Sequence, residues 1–214
     1  MTEALPFYKT ALWVTLKLAG IGIVFAIIIG LLCSVILYFK IRILTNIVRV
    51  YLEVARNTPL LIQLFFLYYG LPKIGIMFSE EQCGIIGLAF LGGSYMAEVF
   101  RSGMEAVSKT QVEAGKAIGL SNTQLMRNII IPQAISYSVP GFGANCIFLI
   151  KETSVFSGIA IFELTNTTKN LMGIFYKTNE ALLMLVIGYL IILLPLSLFL
   201  TWLERRVRHA EFGN

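Results

Sequence analysis

The chain has 214 residues, 57% of them hydrophobic and 14% charged, with a formal net charge of +5 and a mean hydropathy of +0.80. That apolar share exceeds the about 45–50% of a soluble domain and falls in long blocks, not amphipathic stripes, so a water-soluble fold is excluded and one membrane domain is expected. The cationic residues sit at the ends of apolar blocks instead of forming a patch with interleaved aromatics, which argues against nucleic-acid binding.

The 12 acidic residues are all Glu, and the one histidine, His209, lies in the C-terminal tail. The repertoire for acid–base chemistry inside a membrane is therefore thin, and a membrane-embedded enzyme is disfavoured. Cys33, Cys83 and Cys146 are far apart and odd in number. They are expected to be small buried hydrophobes, with no metal site and no disulfide framework.

Five blocks approach the ~20 residues that cross a ~30 Å hydrocarbon core. They run over about 12–39, 60–78, 84–104, 133–150 and 181–203. The first is too long for the apolar region of a secretory signal and lacks a basic leader, so it is read as an anchor, with Lys17 snorkelling outward. The second opens after Arg56-Asn57-Thr58-Pro59, where Thr58 is placed to cap a helix and Pro59 suits its first position. Positive charge marks the cytoplasmic ends: Lys40, Arg42, Arg49 and Arg56 in one connection, Lys109, Lys116 and Arg127 in another, and Arg205, Arg206 and Arg208 at the end. Glu80 and Glu81 mark an outer turn, which puts the N-terminus outside and the C-terminus in the cytoplasm.

Two long connections remain, 105–132 and 151–180, and loops of about 28 and 30 residues in a compact chain usually have a task. In the first, Ser108-Lys109-Thr110-Gln111 and Ser121-Asn122-Thr123-Gln124 both have capping-box spacing, with Gly119 between them. The pattern predicts a helix, a glycine turn and a second helix, after which Pro132 lets the fourth span start in a new direction. Such a hairpin either joins two spans or docks on another protein.

Glu113-Ala114-Gly115, then Gly119, then Ile129-Ile130-Ile131-Pro132, resembles the EAA loop of bacterial ATP-binding-cassette import permeases, with Gly115 for the second Ala and Ile131 for Leu. Further segments narrow the resemblance to the polar amino-acid group. Arg56-Asn57-Thr58-Pro59-Leu60-Leu61-Ile62-Gln63 is similar to its R-G-T-P-L-L-x-Q, with Asn57 for Gly. Tyr95-Met96-Ala97-Glu98-Val99-Phe100-Arg101 is similar to Y-x-A-E-x-x-R, Lys151-Glu152-Thr153-Ser154 to K-D-T-S, and Glu163-Leu164-Thr165 also matches.

The resemblance implies an all-α permease of the type I importer fold in a bacterial cytoplasmic membrane, non-catalytic and without a cofactor of its own. ATP and magnesium would be bound by a partner ATPase dimer, consistent with the lack of a G-x-x-x-x-G-K-[ST] motif. It also implies a second permease chain, identical or homologous, an extracytoplasmic substrate-binding protein and a polar amino acid as cargo. The helix 111–119, with Gln111, Glu113, Ala114, Gly115, Ala117 and Gly119, is expected to meet the ATPase. Alternatives are an ion-coupled secondary amino-acid transporter, for which no inverted repeat is visible, or a permease for another small solute.

Candidate path residues follow from charge at membrane depth. Glu98 lies inside an apolar block, where an ionised carboxylate costs at least a few kcal/mol without a partner or a cavity. Arg101, three residues on, is placed for an internal ion pair, for the path, or for both. Arg56 either snorkels or lines the path. Thr58 and Gln63 offer hydroxyl and amide contacts, though Gln63 equally serves as packing. Lys151, Glu152, Thr153 and Ser154 follow a span weakened by Gly141 and Gly143, and broken helices at membrane depth are common ligand sites.

Overall fold

The computed structural model describes residues 2–212, with backbone alone for residues 2 and 208–212, so the side chains of Arg208 and His209 lie outside the described residues. The described residues form only helices and turns. The long helix α1 (Leu5–Tyr38) buries Thr15, Gly22, Ala26, Gly30 and Cys33 along one stripe and exposes Phe25, Ile28, Leu32 and Val35. Small residues at helical spacing let a second backbone come close, which is how apolar helices associate where lipid offers no hydrophobic drive.

That second helix is α4 (Glu80–Glu105), opened by a Ser79–Gln82 capping box. Gly22 faces Leu88 and Gly30 faces Met96, while Lys17 pairs with Glu81. The pairing numbers rise together, so α1 and α4 run parallel. Between them the chain returns through α2 (Arg42–Asn57), α3 (Leu60–Phe65), a π turn over Phe66–Gly70 and a 3-10 turn over Leu71–Ile74. Leu60 and Leu64 meet Gly87, and Tyr68 reaches Glu80, so this stretch runs against α4.

The helix α2 stands where the sequence predicts a basic connection. Thr45, Val48, Leu52 and Ala55 form its buried stripe, with Arg42, Arg49 and Glu53 interrupting the hydropathy that would have marked it. Thr58 does not cap α3. Its hydroxyl donates back to Val54 O, Pro59 occupies the cap position, and the chain is extended at Thr58 and Pro59.

After α4 comes α5 (Lys109–Ala117), then a turn with Gly119 at φ +86°, then α6 (Asn122–Leu125). Of the two expected capping boxes, that of Ser121 and Gln124 forms, whereas the Ser108 side chain makes no capping hydrogen bond. Pro132 does not restart the helix. The π turn Met126–Ile130 carries α6 into α7 (Ile131–Glu152), its wider i→i+5 pattern absorbing the N–H that proline lacks. Gly141 and Gly143 do not break α7 either. They pack against Val99 and Leu200, and regularity ends at Glu152, where a 3-10 segment covers Thr153–Ile159.

Gly92 faces Leu149 and Gly103 faces Ala134, so α7 runs against α4. The helix α8 (Leu164–Phe175) precedes α9 (Thr178–Phe212), whose Leu200 meets Gly143. Three of these helices, α1, α4 and α9, are each long and apolar enough to cross a membrane alone. The main core lies around α4, where Leu18, Ala26, Leu64, Leu88, Met96, Leu149 and Phe156 converge.

Candidate functional site

Four charged side chains from two elements meet on the inner half of α4. Arg56, from the last turn of α2, donates from Nη2 to Glu98 Oε2 at 3.1 Å. Arg101 donates to the other oxygen of Glu98, and its Nη1 reaches the two oxygens of Glu105 at 2.8 and 2.7 Å. The order Arg56, Glu98, Arg101, Glu105 alternates in sign and is neutral as a set. Side-chain exposure ranges from 28% for Arg101 to 52% for Glu105, so the ladder lines a surface and is not sealed in the core.

The helix break sets this geometry. Extended backbone at Thr58 and Pro59 ends α2, and Gln63 stabilises the break by donating from Nε2 to Ala55 O (3.1 Å) and Thr58 O (3.0 Å), carbonyls that have lost their helical donors. Among the described residues, Arg56 Nε and Gln63 Oε1 are buried side-chain atoms without a hydrogen-bond partner. The Arg56 guanidinium lies 6.0 Å from the Tyr95 ring centroid, and Tyr95 makes an edge contact with Phe148 of α7. The surface thus offers an aromatic wall and a carboxylate between two guanidiniums, with an unpaired donor and an unpaired acceptor buried just beneath.

The second expected group does not join it. Lys151 is exposed, Glu152 and Ser154 are half-buried, and the buried Thr153 donates its hydroxyl to Ile150 O at 2.7 Å. Phe148 and Leu149 are level with Tyr95 and Gly92, so Lys151–Ser154 lies on the order of 10 Å along α4 from Glu98. No hydrogen bond or ion pair links the two groups among the described residues.

Sequence reasoning passed over the polar joint at Glu163. This side chain is fully buried and caps α8, accepting from Thr165 N at 2.7 Å and Asn166 N at 2.8 Å. Burial pushes its carboxyl up to about 7 against the pull of those amides. Leu164 N donates to Thr15 Oγ1 of α1, and the Thr165 and Tyr189 hydroxyls lie 3.3 Å apart, tying α8 to α1 and α9. The Glu-Leu-Thr match was the available signal.

In α5, Gln111, Glu113, Ala114 and Ala117 face outward, as does Gly119 beyond it, while Gly115 is buried. A Cβ at Gly115 would come within 2.5 Å of the Leu125 side chain, which accounts for glycine where the EAA pattern has alanine. Gln133 donates to Gln111 at 2.8 Å, fastening α5 to α7. Ile118, absent from the sequence-derived set, is 79% exposed beside Ala114 and Ala117 and completes a small apolar face.

A bundle of long apolar helices carrying an exposed helical hairpin and a charged seam at a helix break defines the membrane component of a multi-part transporter. Residues 19–209 match the family of binding-protein-dependent transport system inner membrane components, and the chain belongs to that family. It is 31% identical over 213 residues to PatM of Vibrio harveyi, named as a probable amino-acid ABC transporter permease protein, covering 98% of this chain and 96% of the relative. A crystal structure of an amino acid ABC transporter with histidines superposes with a TM-score of 0.90 at 31% identity, over 96% of both chains. The methionine transporter MetNI in an inward-facing conformation shares the fold, with a TM-score of 0.79 at 19% identity over 97% of this chain and 99% of that one. The fold is that of a type I ABC importer permease.

Proposed function

We propose that the chain forms half of the path by which a polar amino acid enters the cell, working with a second permease chain, an ATPase dimer that holds ATP and magnesium, and an extracytoplasmic binding protein. The chain crosses the membrane five times: α1 inward, α2 to Ile74 outward, α4 inward, α6 and α7 outward, α9 inward. The basic segments that follow α1 and α4, with Lys40 and Arg42 and with Lys109 and Lys116, and the basic end of α9 face the cytoplasm. The matched relatives support the amino-acid class.

The carrying observation is Glu98 bracketed by Arg56 and Arg101 at a helix break beside unpaired Arg56 Nε and Gln63 Oε1. An amino acid presents a carboxylate and an ammonium, and each finds an opposite charge here. A substrate carboxylate at Arg56 loosens its bond to Glu98, and the freed Glu98 oxygen accepts from the ammonium. The ladder is therefore a gate that substrate competes for, with charge conserved at each exchange. Thr58 and Gln63 hold the break open, and Lys151, Glu152 and Ser154 guide the solute further out, with Thr153 fixing the turn. The exposed face of Gln111, Glu113, Ala114, Ala117 and Gly119, with Gly115 against α6, transmits closure of the ATPase.

The test is uptake into proteoliposomes containing the permease, its ATPase and its binding protein. Uptake should require ATP and fall at least tenfold in Glu98→Gln, with basal ATP hydrolysis retained. Uptake that survived ATP depletion and followed an ion gradient would overturn the assignment.

A further inference from the structure

A cavity of about 570 Å³ opens where α1 ends and α5 begins, lined by Tyr38, Lys40, Glu105, Lys109, Glu113 and Lys116. The ion pairs among the described residues are Lys17–Glu81 and the three of the Glu98 ladder, so none of these three lysines has one. Glu105 is engaged by Arg101, which leaves three cations against Glu113 alone. The first turn of α5 points more donors at this end, because Ser108 leaves it without a side-chain cap. The three lysines are exposed at one mouth without an internal ion pair, a local surplus of positive charge that favours an anion.

Beside the cavity is a cleft of about 510 Å³, almost wholly apolar, bounded by Leu31, Val35, Met104, Met126, Ile135 and Leu203. The two share a wall, the cluster in which Met104 and Val107 pack with Tyr38, Val112 and Met126. The exposed apolar face of α1 continues through Leu32 and Val35 to Phe39, so Lys40 stands where hydrocarbon gives way to headgroups. A basic cavity roomy enough for a headgroup and an apolar cleft, on the two sides of one packed wall at that depth, match the two parts of one kind of molecule.

We propose that the cavity binds the headgroup phosphate of an anionic phospholipid of the inner leaflet, with an acyl chain in the adjoining cleft. A zwitterionic headgroup would bring its own cation against the lysines and lose the advantage, whereas each lysine near an anionic headgroup contributes attraction. Because Lys40 follows α1 while Lys109 and Lys116 belong to α5, the lipid would bridge the inner end of the bundle to the coupling hairpin. The leaflet rests on the orientation proposed above; the chemistry of the site does not.

The chain, purified in detergent and challenged with phosphatidylglycerol or phosphatidylcholine, is examined by native mass spectrometry. Transport and orientation do not enter this measurement, so its outcome is separable from that of the uptake assay. Phosphatidylglycerol should be retained about a hundredfold more tightly than phosphatidylcholine, and the combined Lys40→Asn, Lys109→Gln, Lys116→Gln variant should fall to the phosphatidylcholine level. Lys73→Gln, at the opposite end, should retain the lipid. If the triple variant unfolds, added salt should release phosphatidylglycerol selectively from the unaltered chain. Equal retention of both lipids, retention unchanged in a folded triple variant, salt-insensitive retention, or displacement by inorganic phosphate alone would overturn the proposal.

Discussion

Glu98 and Arg56 are 42 positions apart in sequence, yet the guanidinium of one donates to the carboxylate of the other at 3.1 Å, because the break at Thr58 and Pro59 leaves the last turn of α2 beside α4. Glu98 holds two arginines, so its loss leaves Arg56 and Arg101 with Glu105 as the one remaining carboxylate of the ladder. The side chains are 28–38% exposed, which places the pairs between surface bridges and fully buried ones. A double-mutant cycle of Glu98→Gln with Arg56→Gln should give a coupling of ~1 kcal/mol by thermal or denaturant unfolding. Additive effects would mean that the pair contributes nothing to the fold and that its role is confined to the path.

Close approach of α4 and α7 makes one glycine irreplaceable. A Cβ at Gly103 would stand 2.7 Å from the Ala134 carbonyl oxygen, a backbone atom that cannot swing aside, whereas one at Gly173 meets nothing within 4 Å. Gly103→Leu should destabilise the chain by ~3 kcal/mol and Gly173→Ala by less than ~0.5 kcal/mol. Thermal unfolding of the two variants checks the contrast.

Gly119 isolates the coupling hairpin from packing. A Cβ there meets nothing within 4 Å, but φ is +86°, so a substitution acts through the turn alone. Gly119→Val should cost ~1–2 kcal/mol locally and uncouple uptake from hydrolysis, with Gly119→Asn intermediate because asparagine tolerates left-handed backbone. Parallel measurement of uptake and ATPase rates reads the result. Equal coupling in all three proteins would show that the hairpin is passive.

Glu163 makes stability depend on pH with a definite sign. Its carboxyl is raised from 4.5 to about 7 in the folded chain, so between those values the folded state holds a proton that the unfolded state has released. The contribution is fully present below about 4.5 and is lost as pH rises to about 7, an effect of ~3 kcal/mol. Glu163→Gln should flatten the rise in unfolding temperature otherwise seen on acidification from about pH 8 to about pH 5. A slope that survives in the variant would assign it to another group.

Apolar length and charge placement determine by themselves that this chain lives in a membrane, because ~20 apolar residues in a row have no other stable home. They also mark Glu98 and Arg101, since charge inside such a block stands out, and Gly119 and the Ser121 cap, since those turns rest on residue type at fixed spacing. Local pattern failed where neighbours supplied the missing stability. Thus α2 is held by its buried stripe against α1 and α4 in spite of its charges, and α7 runs through Pro132 and both glycines because a π turn and the packing of Val99 and Leu200 absorb the defects. The partner of Arg56, the tie of α8 to α1 through Leu164 N and Thr15 Oγ1, and the basic cavity beside α5 were decided by tertiary structure alone. Each joins groups far apart in the chain, and sequence spacing carries no record of which helices will stand side by side.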